Sequence, residues 1–115
     1  MALLLTLTKL TPEATKGLLR VGPVAREQYL RETVTKLGGT LVNVYFTEGG
    51  DFDIMAIVEL PDDLANLPGF SIAQMLATQA AGLYASWRAI RLYTPADVQT
   101  ALAKAVALTL PGAHA

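Results

Sequence analysis

The sequence predicts an α+β domain: four strands and two helical connections in the order βαββαβ, with one more helix after the last strand. Three observations predict it. Four apolar segments of strand length alternate with turn and helix signals. The two central segments are joined by a short connection centred on Gly49-Gly50-Asp51, residues that tolerate the positive φ of a tight hairpin. A helix-opening pattern, Thr-Pro followed closely by an acid, occurs at Thr11-Pro12-Glu13 and again at Thr94-Pro95-Ala96-Asp97.

Residues 3–9 predict the first strand. Leu3, Leu5 and Leu7 share one face, and Leu4, Thr6 and Thr8 share the other. The greasier leucine face is expected to turn toward the helices. Thr11 caps a helix that runs to Arg20, with Pro12 at its first position and Glu13 near the positive end of the dipole. Gly22-Pro23 interrupts it. A second helical piece spans residues 23–36, with Leu30, Val34 and Leu37 at helical spacing. Arg26, Glu27, Arg31, Glu32 and Lys36 are expected mostly to face water. Gly38-Gly39 stops it.

The second strand spans residues 40–47, with Val42, Val44 and Phe46 alternating against Leu41, Asn43, Tyr45 and Thr47. The third, residues 52–60, is apolar on both faces, as a strand covered on two sides would be. Pro61-Asp62-Asp63 begins a helical region broken at Pro68-Gly69. Its better part spans residues 72–81, with Ser71 as the expected cap and Ile72, Met75, Leu76 and Gln79 along one side. Residues 84–93 form the fourth strand. A last helix is expected over residues 96–108, with Val98, Leu102 and Val106 in an apolar stripe and Ala105 and Thr109 beside it. Residues 111–115 read as a flexible tail. The organisation is one domain over residues 1–95, an added helix over 96–110 and the tail.

This order is the ferredoxin-like plan, helices on one face of a four-stranded antiparallel sheet. It leaves the other sheet face open. Hydrophobic residues make up 52% of the chain and charged residues 17%, below the typical ~25%. Open faces packed in pairs would bury that excess and form a dimeric α/β barrel. The face expected toward a partner carries Leu4, Thr6, Asn43, Tyr45, Met55 and Ile57. The last helix is expected to cover either its own subunit's sheet edge or a partner surface, with the partner or a higher assembly of dimers favoured.

The net charge of −1 offers no electrostatic footprint for nucleic acid or an anionic membrane. No stretch approaches the ~20 apolar residues of a membrane span. Residues 1–10 lack the basic start and uninterrupted apolar run of a signal peptide, so the expected compartment is the cytoplasm. Cysteine is absent, which removes disulfides, thiolate metal sites and cysteine nucleophiles.

Together these residues resemble the GYD-domain family, small proteins of dimeric α/β-barrel type. The family's Gly-x-Tyr-Asp hairpin corresponds to Gly50-Asp51-Phe52-Asp53, with phenylalanine in place of the usual tyrosine. Thr11-Pro12-Glu13, Gly38-Gly39, Val58-Glu59-Leu60-Pro61-Asp62 and Leu92-Tyr93-Thr94-Pro95 are similar in order and spacing. The likeness covers most of residues 2–98. It implies fold and assembly rather than a reaction, and a role resting on the tyrosine hydroxyl does not carry over to Phe52.

Several residues are candidates for chemistry. Asp51 and Asp53 flank Phe52, either as carboxylates at a pocket mouth or as acceptors of turn N–H groups. Glu59 with Arg88 or Arg91 would position an anionic or carbonyl substrate, or form an ion pair at a dimer seam. Asn43, Tyr45 and Trp87 would line a substrate site or pack an interface. The single histidine, His114, stands in the tail, so a core histidine base and a haem ligand are excluded. Gly49-Gly50 lacks the following helix and lysine of a phosphate loop. No metal-ligand spacing occurs, and no cofactor is expected. Two functions follow. The first is a non-catalytic homodimer or higher homo-oligomer that binds a small apolar molecule or serves as an assembly or accessory subunit. The second is a cofactor-independent oxygenase or isomerase acting on a small aromatic or quinone-like substrate, with Tyr45, Asp53 and Arg88 around a pocket between helices and sheet.

Overall fold

The structure, a computed structural model, describes residues 1–107. The expected tail, His114 and the expected helix end beyond residue 107 lie outside the described residues. The elements are β1 (Ala2–Leu10), α1 (Pro12–Val21), α2 (Pro23–Lys36), β2 (Thr40–Phe46), β3 (Ile54–Leu60), α3 (Asp62–Ala65), α4 (Phe70–Ala80), β4 (Tyr84–Leu92) and α5 (Pro95–Ala107). The strands form one sheet in the order β2-β3-β1-β4. Every pairing is antiparallel. This is the ferredoxin-like arrangement, and within the chain the sheet is open, not a closed barrel.

Local chemistry sets the element ends. The Thr11 hydroxyl accepts the Ala14 N–H at 3.1 Å and donates to the Gly82 carbonyl at 2.8 Å, so one side chain caps α1 and ties it to the loop before β4. Gly49 and Gly50 hold φ of 79° and 91°, the positive values expected at the hairpin tip. At Gly39 the constraint is space: a Cβ there would collide with the Glu59 carbonyl oxygen and the Leu60 side chain. That contact lets α2 drop directly into β2 beside β3. The start of α4 differs from expectation. The helix begins at Phe70 after Gly69, without a side-chain cap, and Ser71 sits inside its first turn. Phe70 packs against the core, and that burial draws the start back toward Gly69.

The core lies between the sheet and the helices. Leu4, Ala56, Val58, Leu60 and Leu41 from the sheet meet Val34 of α2, with Leu30 and Phe70 against them. The expected facing of β1 is therefore inverted. Leu4 pairs with Val58 and Thr6 with Ala56 on the helix side, while Leu5 pairs with Ile57 and Leu7 with Met55 on the open side. Alternation separates the two faces of a strand but does not say which one meets the helices. Leu4 and Thr6 thus leave the list of open-face residues, and Leu3, Leu5 and Leu7 join Asn43, Tyr45, Met55 and Ile57 there.

Two bulges alter the alternation further. β2 shifts register between Leu41 and Asn43, so Val42 is the extra residue and Leu41 turns into the core. β4 pairs with β1 through a shift between Lys9 and Leu10, which sets Tyr84 opposite the buried Leu10. The C-terminal helix leaves its apolar stripe uncovered in the protomer: Val98, Leu102 and Val106 are 48%, 55% and 56% exposed. No helix among the described residues is long and apolar enough to cross a membrane.

Candidate functional site

A cavity of about 300 Å³ opens between α2, α4 and the helix side of the sheet. Small side chains create it. The sheet presents Thr6, Thr8 and Ala56 at its floor, and α4 presents Ala77 and Thr78. Larger aliphatic residues at those positions would fill the space. Leu4, Val58, Val44 and Phe46 supply further apolar wall from the strands, and Leu30 and Val34 from α2.

The polar groups in this wall are mostly occupied. Thr6 and Thr8 donate to the carbonyls of Ala56 and Ile54 across the ladder, at 3.4 and 3.5 Å. Thr33 donates to Tyr29 and Thr78 to Met75 within their own helices, each at 2.9 Å. A buried hydroxyl that is already bonded adds little polarity to a cavity. The interior is accordingly mostly apolar, with Trp87 as its largest aromatic wall and the half-buried Gln74 amide at its border.

Arg26 and Glu27 also border the cavity, contrary to the expectation that they face water. Arg26 stands one helical turn before Leu30, which in turn precedes Val34, so the apolar stripe of α2 carries the arginine inward with it. Glu27 pairs with Arg31 at 3.0 Å, and Arg31 also donates to the Leu41 carbonyl at 3.2 Å. Arg26 donates through Nη2 to the Tyr84 hydroxyl. Its guanidinium carbon lies 5.6 Å from the Tyr29 ring centre and 5.8 Å from that of Tyr84, within cation–π range. Sequence reading missed both Arg26 and Tyr84. The helical spacing from Arg26 to Leu30 was the available signal for the first. The β1–β4 register shift, which no residue pattern announces, places the second.

The remaining candidates are dispersed. Tyr45 and Arg88 lie on the open face, in one cross-strand row through Met55 and Leu7. They occupy opposite edge strands, about 14 Å apart at ordinary strand spacing. Asp53 accepts the Leu10 N–H at 2.9 Å through Oδ2, beside the register shift of β1. Its own N–H donates to the Thr8 carbonyl at 2.8 Å. Its carboxylate thus fastens the hairpin to β1. Asp51 is exposed at the loop. Phe52 lies beneath Arg88, 5.9 Å from guanidinium carbon to ring centre. Asn43 is exposed on the open face, and Trp87 lines the cavity.

Glu59 and Arg91 both border a second, more open cleft of about 690 Å³ between the start of β1 and the first turns of α5, but they pair with Leu3 and Leu4 and so stand on opposite faces of the sheet. Arg91 donates to Asn66 Oδ1 at 2.8 Å and lies 5.4 Å over the Tyr93 ring. Among the described residues no three acidic or histidine side chains gather as a metal site.

Sheet order, hairpin and helix-side cavity define a ferredoxin-like α+β protein with a partly open apolar cavity between helices and sheet. The chain belongs to the GYD-domain family, whose profile matches residues 4–102. No curated protein and no solved structure matches it.

Proposed function

We propose that the protein is a non-catalytic homodimer that binds a small apolar molecule. One observation supports this reading above all: an apolar cavity of about 300 Å³ whose threonine hydroxyls are already bonded to backbone carbonyls. That volume is at the lower end for a small-molecule site. It retains a ligand through shape and apolar contact. The alternative, a cofactor-independent oxygenase or isomerase using Tyr45, Asp53 and Arg88, has less support, because a single small substrate would not touch all three.

The homodimer reading rests on the open face. Leu3, Leu5, Leu7, Met55, Ile57 and Ile90 line it, a continuous apolar surface of the kind that marks an interface. Packing two such faces closes two open sheets into one barrel-like assembly. Native mass spectrometry of protein purified from its own host tests both parts together. The expected spectrum shows a dimer carrying a small organic molecule. A bare monomer at micromolar concentration would overturn the assembly, and a protein that neither retains a ligand nor takes up added naphthalene would overturn the binding function.

A further inference from the structure

We infer that the cavity is a site for a monocarboxylic acid with a compact apolar body, its carboxylate read by Arg26 and Tyr84; this rests on the cavity reading above. The argument begins with charge. Two opposite charges stand at the cavity wall, Arg26 and Glu27. Glu27 is compensated by Arg31 at 3.0 Å. Among the described residues no carboxylate forms an ion pair with Arg26. The remaining charge at the wall is a guanidinium, within cation–π range of the rings of Tyr29 and Tyr84.

The fold takes specific steps to assemble this pair. Without the register shift between Lys9 and Leu10, Tyr84 would share the open face with Ser86 and Arg88. The shift turns it to the helix side with Trp87. Re-aiming one side chain at a site is a common use of a bulge. The Tyr84 oxygen accepts from Arg26, which leaves the phenol proton free to donate. Arg26 uses one of its five N–H donors on Tyr84, and the others remain for a ligand.

A fork of N–H donors beside one O–H donor matches a carboxylate, which accepts in bidentate fashion and neutralises the single charge. A dianionic phosphate would leave one negative charge unpaired against an apolar wall, which is unfavourable. The body of the ligand follows from the volume, room for about ten water-sized groups at ~30 Å³ each, and from the small side chains that leave it, Thr6 and Ala56 on the sheet and Ala77 on α4. An aromatic or branched aliphatic body fits that description.

The test uses the full chain and three probes with one body: 1-naphthylacetate, its neutral amide and naphthalene, each titrated by tryptophan and naphthalene fluorescence. The wild-type protein is expected to bind the acid about tenfold or more tightly than the amide. Arg26→Met, which keeps an apolar stem, is expected to equalise acid and amide affinities. Tyr84→Phe is expected to reduce the acid preference severalfold, and it serves in place of Arg26→Met should that variant not fold. Equal binding of acid and amide by the wild type overturns the headgroup inference and leaves the cavity reading intact. An acid preference that survives both substitutions also overturns it. Failure of all three probes to bind overturns the cavity reading, and this inference with it.

Discussion

The two faces of the sheet carry similar hydrophobicity to opposite ends. On the helix side, the residues at the middle of the sheet are small or hydroxylated: Thr6, Thr8 and Ala56. They leave a vacancy under α2 and α4. On the open side the same strands present Leu5, Leu7, Met55 and Ile57, large side chains with no helix above them. A chain that only had to fold would place the leucines under the helices and the threonines toward water. The reverse arrangement gives up part of the protomer's own packing. It gains a cavity on one side and a continuous apolar surface on the other.

The open face is where the largest effect is expected. Leu5→Asp places a carboxylate in the centre of the apolar row that includes Ile57 and Ile90. In a face-to-face dimer each copy would bury that charge unpaired, at a cost of about 3 kcal/mol or more per copy. Light scattering is expected to show loss of the dimer, with the far-ultraviolet circular dichroism of the protomer retained. A dimer of unchanged mass would place the interface elsewhere and leave the leucine face without a reason.

On the helix side, the junction of α2 with β2 sets the roof of the cavity. Gly39→Ala forces a methyl against the Glu59 carbonyl and the Leu60 side chain, and the carbonyl cannot withdraw without moving β3. The expected loss is about 2–3 kcal/mol in denaturant titration, the range of an overpacked core. The cavity itself is expected to behave differently. Ala77→Leu adds volume from α4 into empty space, so stability should change by less than about 1 kcal/mol. Affinity for naphthalene should fall about tenfold as the site fills. If affinity is unaffected, the ligand enters elsewhere, and the second cleft beside Glu59 and Arg91 becomes the place to look.

The order of elements, the Thr11 cap, the hairpin glycines and the α2 stripe were readable in the residues because each rests on local chemistry. The facing of β1 was not. Leu3, Leu5 and Leu7 were readable as one face, but which face meets the helices depends on pairing with β3, a contact between residues some fifty positions apart. Both bulges escaped for the same reason: Leu41 and Tyr84 break alternation through register with a neighbouring strand. Arg26 was hidden by its type. A charged residue at a helix-core spacing is ordinarily assigned to water, and only the α2–β4 contact shows it bordering the cavity. The site was thus less readable than the fold, since Tyr84 depends on tertiary register and Arg26 was masked by its charge, whereas the fold depends largely on local signals.

The smallest expected effect separates two reasons for needing glycine. Gly50 has φ of 91° and nothing within 4 Å of where a Cβ would stand. Its constraint is conformational alone, and Gly50→Ala is expected to cost about 1 kcal/mol. Gly39 has the opposite situation, a backbone conformation open to other residues and no room. Asparagine discriminates between them, because it tolerates positive φ better than alanine does and is larger. Gly50→Asn should be more stable than Gly50→Ala, whereas Gly39→Asn should be less stable than Gly39→Ala. The hairpin tip stands apart from both the cavity and the apolar open face, so neither Gly50 variant is expected to alter naphthalene affinity or the subunit count. A change in either with Gly50→Ala would mean that the tip reaches a partner or the ligand, and the division of labour between the two sheet faces would have to include the hairpin.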